Sequence, residues 1–281
     1  MDVPVAHRRS VVFVGSIEGT GEHRLRGTGF MVGVPVEGDD TKIHLQLVTA
    51  SHVVPHDKPT FMRLRRLLSD PPAGEPLNER LFEEEVVDVE LGTWHRHPIA
   101  DLATTLIVEA DPRWAIGVVP WASFVGRSPH EPELGEDVVF AGLLAQVDSM
   151  AERHVPMLRG GMIGALYQHK IPMVEPGGTR RLLDGHLIDC RSFGGFSGAP
   201  CFVSMIRTSA PGSSLHVLNP TPFWQLLGVV GGHFDHRSSI EIQGDSLSVP
   251  TSAGVAVVYP SELLTELLED EALIAERALD T

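Results

Sequence analysis

One serine, Ser197, stands in a run of small residues, Gly194-Gly195-Phe196-Ser197-Gly198-Ala199-Pro200, that ends at a proline. Glycines two positions before and one after it let the backbone turn sharply and aim its N–H groups into a cleft. Such amides, the backbone N–H of Gly195 and of Ser197 itself, can hold a carbonyl oxygen that gains charge during attack. The chemistry on offer is acyl transfer from a substrate carbonyl to a hydroxyl. A serine hydroxyl is a weak nucleophile alone, so this reading requires a base and an orienting acid elsewhere in the chain.

Three upstream runs bear on them. Gly27-Thr28-Gly29-Phe30-Met31-Val32 is followed by Leu47-Val48-Thr49-Ala50-Ser51-His52-Val53-Val54, and further on comes Ala100-Asp101-Leu102-Ala103. Together with the serine loop these resemble the chymotrypsin/trypsin-like serine peptidases, whose "GTGF", "LVTAxH", "DLAL" and "GxSGxP" elements occur in this order. The resemblance implies His52 as general base, Asp101 as the acid that orients it and Ser197 as nucleophile, with Gly195 and Ser197 as the oxyanion hole. The order His, Asp, Ser is that of the chymotrypsin class and differs from those of subtilisin and the α/β-hydrolases. Two departures stand out. Ser51 replaces the more usual alanine before the histidine. Phe196 replaces the acidic or amide residue often found before the serine, which argues against zymogen activation through a freshly cut N-terminus.

The resemblance also bears on specificity. The position that is acidic in trypsins, six before the serine, is Arg191, so cleavage after Arg or Lys is not expected; Asp189 resembles a strand residue of bacterial relatives. Leu226 to His233 resembles the strand whose edge pairs with the substrate backbone. Gly231, Gly232 and His233 therefore join Arg191 as candidate pocket residues; Arg191 either favours an acidic substrate side chain or points to solvent, and His233 either lines the pocket rim or is structural. Triad chemistry draws on side chains alone, so no cofactor is expected. His95-Arg96-His97 and His233-Phe234-Asp235-His236 contain residues that bind metals, but neither matches a known ligand spacing, and no metal is expected.

The elements that position these residues follow from β-branched runs and turn signals. Residues 10–15, 26–34, 43–48, 61–64, 86–94 and 102–108 read as six strands, with the Glu83-Glu84-Glu85 charge run at a solvated edge. Residues 137–143, 157–167, 182–190, 201–203, 226–233 and 254–258 read as a second set. Residues 55–60, 69–78 and 207–222 are rich in Pro, Gly, Asp or Ser and read as loops. Leu263, Leu264, Leu267, Leu268 and Ile274 recur at helical spacing, with Ser261 placed to cap the helix. The expected fold is all-β: two six-stranded antiparallel β-barrels with a C-terminal helix. Residues 1–118 carry His52 and Asp101, and residues 119–281 carry Ser197, which places the active site in the groove between barrels.

The bulk numbers bound the function. A chain of 281 residues with 42% hydrophobic content can fill two modest cores. A formal net charge of −15 excludes nucleic acid as an expected partner. No stretch is apolar for long enough to span a membrane, and Met1 to Arg9 leads into no signal-peptide pattern. Only two cysteines occur, Cys190 and Cys201, which suits a reducing cytoplasm and two free thiols. The expected partners are a protein or peptide substrate and a regulatory protein, since an intracellular peptidase requires restraint. The long stretch between His52 and Asp101 and the loop at 207–222 are where restraint would act.

Two other functions compete. An inactive relative keeping the fold as a binding or scaffolding module would carry the same sequence signals. A serine esterase of the α/β-hydrolase class is the other, because Gly195 to Ala199 nearly fits a nucleophile elbow. That elbow needs a helix after the serine, whereas Ala199 to Val203 reads as extended.

Overall fold

In the computed structural model the described residues are 4–69, 83–128, 131–144, 154–174, 180–190, 195–206, 222–242 and 245–279. They form two mainly antiparallel sheets with a pair of C-terminal helices. The β-branched runs of the first half become β1 (Val11–Ile17), β2 (His23–Val36), β3 (Asp39–Thr49), β4 (Thr60–Leu67), β5 (Glu84–Leu91), β6 (His95–Arg96), β7 (Ala103–Ile107) and β8 (Val119–Pro120). Their order is β5-β4-β1-β2-β3-β7-β6, with β8 added to β2 in parallel. Six of these correspond to the expected strands; β6 and β8 are two-residue pieces too short to leave a pattern. Among the described residues the path of this sheet runs from β5 to β6, consistent with the first half of the expected double barrel.

The second half gives β9 (Asp137–Gly142), β10 (Met157–Val174), β11 (Arg180–Asp189), β12 (Pro200–Ile206), β13 (Pro222–Ile242) and β14 (Asp245–Pro260). These close into the expected six-stranded barrel, in the order β10-β11-β14-β13-β12-β9. Residues 207–221, within the expected insertion loop, and 70–82, most of an expected surface loop, lie outside the described residues.

The two sheets share a core. Val11, Phe13, Phe30 and Val32 of the first sheet pack in one cluster with Val139, Phe202, Leu226, Val229 and Tyr259 of the barrel. Each side chain of this kind, fully removed from water, stabilises the fold by about 1.5–3 kcal/mol. The same cluster takes in Leu264, Leu267, Leu268 and Leu273 from the C-terminal end. That end is two helices where one was expected: Ser261–Leu268, and a second at Glu271–Leu279. A short helix at Val5–Arg9 also precedes β1. Numbered in chain order, these helices are α1, α2 and α3. Ser261 does not cap α2, because the helix starts at Ser261 itself, after Pro260, and no side chain caps it. The Ser261 hydroxyl is buried and accepts instead from the Gly126 amide at 3.4 Å. No helix among the described residues is long and apolar enough to cross a membrane.

Candidate active site

β3 runs out at Thr49 and the chain turns through a single 3-10 turn, Ser51–Val53. Val53 plugs into the core, which leaves His52 on the open side of the turn. Asp101 lies just before β7, the neighbour of β3, so adjacent strands deliver the two side chains to one sheet end. Three hydrogen bonds tie Asp101 to the His52 turn. Asp101 Oδ1 accepts the His52 backbone N–H at 2.8 Å. Asp101 Oδ2 meets His52 Nδ1 at 2.5 Å. The Asp101 carbonyl accepts the Ser51 N–H at 3.2 Å. With Nδ1 donating to a carboxylate, the neutral imidazole keeps its lone pair on Nε2, the nitrogen a general base uses.

The serine loop is fixed from three sides. Phe196 is buried in the barrel core, and its ring fills the space a side chain at Gly142 would need. An apolar anchor thus stands where the resemblance implies a polar residue. On the second side, the Gly198 N–H donates to the Val230 carbonyl at 2.7 Å and the Val230 N–H to the Ala199 carbonyl at 2.9 Å. Thr28, fully buried, holds the third side. Its N–H donates to the Ser197 carbonyl at 3.0 Å and its hydroxyl to the Gly195 carbonyl at 2.7 Å. The Thr28 carbonyl in turn accepts from the Thr49 hydroxyl at 2.7 Å, two residues before the His52 turn. Thr28 is therefore the buckle that registers the serine loop against the His52 turn.

The glycines flanking this buckle make the approach sterically feasible. A β-carbon on Gly27 would lie 2.9 Å from the Ser197 carbonyl oxygen. Gly198 has φ +85°, and a β-carbon there would sit 2.1 Å from the Thr28 carbonyl and 2.2 Å from the Thr49 hydroxyl. Gly198→Ala is accordingly expected to destabilise the protein by about 2–5 kcal/mol, from left-handed strain and overpacking together. A shift of the guanidinium chloride unfolding midpoint measures it, and an unchanged midpoint would mean the loop is not locked against β2.

The remaining sequence-derived residues separate. Gly195 has φ +102°, and neither its amide nor that of Ser197 donates to another described residue. No hydrogen bond joins Ser197 to His52 among the described residues; such bonds often tighten only with substrate bound. Gly231, Gly232 and His233 lie on β13 opposite β14, with Gly232 facing Val257 and His233 facing Ala256. The Tyr259 ring occupies the space a side chain at Gly231 would need, so this glycine serves packing. Arg191 lies outside the described residues. Asp189 is exposed on β11, paired with Val255.

Cys190 and Cys201 are buried free thiols. Burial pushes the Cys190 thiol up to about 11 and the Cys201 thiol well above its ordinary value, which makes both poor nucleophiles at neutral pH. Among the described residues no group of His, Cys, Asp or Glu has the arrangement of a metal site. His95 and His97 meet carboxylates on the C-terminal helices instead: Nε2 of His95 lies 2.7 Å from Glu276, and that of His97 3.3 Å from Glu266. Sequence reasoning assigns no role to Thr28, although it lies inside the Gly27-Thr28-Gly29 run. A buried hydroxyl flanked by two glycines is the signal that could mark it.

Comparison with protein-family profiles gives no match, and comparison with curated protein sequences gives none. Solved structures do match. The active form of the Rv3671c protease from M. tuberculosis is similar at 18% identity and a TM-score of 0.51, over 94% of this chain and 81% of that one. Its inactive form matches at 17% identity and a TM-score of 0.49, over 94% and 89%. With a closed six-stranded barrel beside a second antiparallel sheet, the chain has the fold of the trypsin-like serine proteases.

Proposed function

We propose that this chain is a serine endopeptidase working through His52, Asp101 and Ser197. The observation that carries the reading is the Asp101 carboxylate, which engages both the His52 ring nitrogen and the His52 backbone N–H. It leaves Nε2 as the basic nitrogen, at the sheet end where Thr28 ties the serine loop to β2.

The reaction then runs in two halves on a protein or peptide substrate. Ser197 Oγ bonds to the scissile carbonyl carbon while its proton passes to His52 Nε2. The amides of Gly195 and Ser197 hold the oxyanion. Collapse breaks the C–N bond, and the imidazolium gives its proton to the departing amine. Water repeats the sequence on the acyl-enzyme, with His52 again the base, and restores Ser197. Asp101 keeps the tautomer and stabilises the imidazolium.

A catalytically silent binding module is favoured by one observation, the missing Ser197–His52 hydrogen bond. The esterase reading through a nucleophile elbow loses its ground, because β12, a strand, follows the serine where an elbow needs a helix. Labelling of the purified chain with a fluorophosphonate probe decides between peptidase and module. The peptidase should label, and Ser197→Ala and His52→Ala should not. A folded wild-type chain that resists the probe would overturn the peptidase reading.

A further inference from the structure

Arg96 lies on β6, two residues long and held to β7 by the pairs His95–Thr104 and Arg96–Ala103. Its guanidinium reaches across to the His52 turn. Nη1 donates to the Ser51 carbonyl at 2.8 Å and to the Ser51 hydroxyl at 2.6 Å. Nη2 donates to the Val54 carbonyl at 2.7 Å. Ser51 and Val54 bracket the turn, so one planar fork closes over both of its ends. Ser51 is the residue that departs from the alanine the resemblance implies, and its hydroxyl is the additional acceptor this fork uses.

His97, next on the chain, organises the other half. It is buried, and its Nδ1 accepts the backbone N–H of Ile99 at 3.2 Å and of Ala100 at 2.8 Å. Its own backbone N–H donates to the Leu102 carbonyl at 3.0 Å. The loop that carries Asp101 is wrapped around this ring. Because Nδ1 accepts, the proton resides on Nε2, which faces Glu266 of α2.

We propose that Arg96 and His97 are positioning residues for the His52–Asp101 pair, Arg96 clamping the turn and His97 shaping the loop from adjacent points of one backbone. The inference rests on the peptidase reading above but concerns a geometry that exists without turnover. Arginine suits the task because its rigid fork can satisfy three acceptors at fixed angles, whereas a lysine ammonium is a mobile point charge. The guanidinium also places a positive charge beside the Asp101 carboxylate. Neither residue reaches the reacting atoms. Their effect passes through the placement of His52 and Asp101.

Arg96→Met, Arg96→Lys and His97→Asn in the full chain test this, with Ser51→Ala as the milder partner. Misplacing a catalytic group by about 1 Å costs roughly 10²-fold in rate, so Arg96→Met should lower the maximal fluorophosphonate labelling rate by about that factor. The half-saturating probe concentration should stay unchanged, since the probe pocket is untouched. Arg96→Lys and Ser51→Ala should each lose less. The proton between His52 Nδ1 and Asp101 provides a separate readout, a far-downfield ¹H NMR resonance that Asp101→Asn abolishes. It should broaden or vanish in Arg96→Met and His97→Asn while circular dichroism remains that of wild type. A sharp, unshifted resonance in folded Arg96→Met and His97→Asn would overturn the proposal. If Arg96→Met does not fold, the resonance of Arg96→Lys decides in its place. A wild-type chain that shows the resonance but takes no probe would overturn the peptidase reading alone, and the resonance would still decide the positioning role.

Discussion

Asp101→Asn should lower turnover by about 10⁴-fold while leaving the fold intact. The geometry explains why an amide cannot substitute for this carboxylate. Oδ1 accepts from the His52 backbone N–H and Oδ2 from the His52 ring, so both oxygens act as acceptors at once. Asparagine has one oxygen and one NH₂ to fill the same two positions. If its oxygen faces the backbone N–H, its NH₂ faces Nδ1, and the ring must move its proton to Nε2. A protonated Nε2 cannot take the Ser197 proton. If the amide flips, its NH₂ confronts the backbone N–H, donor against donor, and both hydrogen bonds to the His52 turn lose their geometry. The first arrangement therefore wins and removes the base. Fluorophosphonate labelling rates and peptide hydrolysis measure the loss, and the thermal unfolding midpoint checks the fold. A loss below about tenfold would mean that Asp101 does not set the tautomer.

How much of this molecule is legible in its sequence follows from how local each signal is. Strands with a buried face, such as Val11–Ile17 and Asp137–Gly142, carry dense β-branched runs and are readable at nearly their true lengths. The three candidate catalytic positions are readable because their flanking glycines and threonines are dictated by close backbone approach, as at Gly27 and Gly198. Other features depend on distant partners. The β13–β14 hairpin continues its ladder out to Ile242–Asp245, beyond the apolar Leu226–Val230 run and through the polar stretch Asp235 to Ser239. The break between α2 and α3 falls at Glu269–Asp270, inside a leucine pattern that reads as continuous. Phe196 looks like a substitution in a motif, and only packing against Gly142 reveals it as an anchor. Arg96 illustrates the same limit: its tripeptide attracts attention for its histidines, and its partners are some forty residues upstream.

Acid should unfold this protein before its carboxylates are titrated, through two buried histidines. Burial, with a smaller contribution from the Arg65 charge, pushes the His154 imidazole down to about 4 from an ordinary value of 6.5. Burial alone pushes His186 down to about 4. A lowered histidine pKa means the folded state holds the neutral ring while the unfolded chain binds the proton. The contribution is whole above pH 6.5, shrinks as pH falls, and is exhausted below about 4. Each ring accounts for about 3 kcal/mol over that window, a large share of an ordinary domain's 5–15 kcal/mol. His7, also lowered by burial, adds in the same direction. Asp88 and Asp111 are held below the usual carboxylate range by Arg63 and His23 and by Arg113 respectively, so their losses begin at lower pH. The slope between pH 6.5 and 4.5 therefore belongs to the histidines. His154→Asn isolates one of them, because asparagine tolerates the positive φ of 47° at this position and does not titrate. Guanidinium chloride unfolding at pH 7.5 and 4.5 should show a wild-type loss of several kcal/mol, and His154→Asn should recover about half of it. His154 packs edge-on against Phe13 of β1 from the start of the barrel, with ring centroids 5.6 Å apart, so its protonation loosens the seam between the sheets. An identical acid slope in His154→Asn would mean that this ring is hydrated in the folded protein, and that the packing between the sheets does not depend on its neutrality.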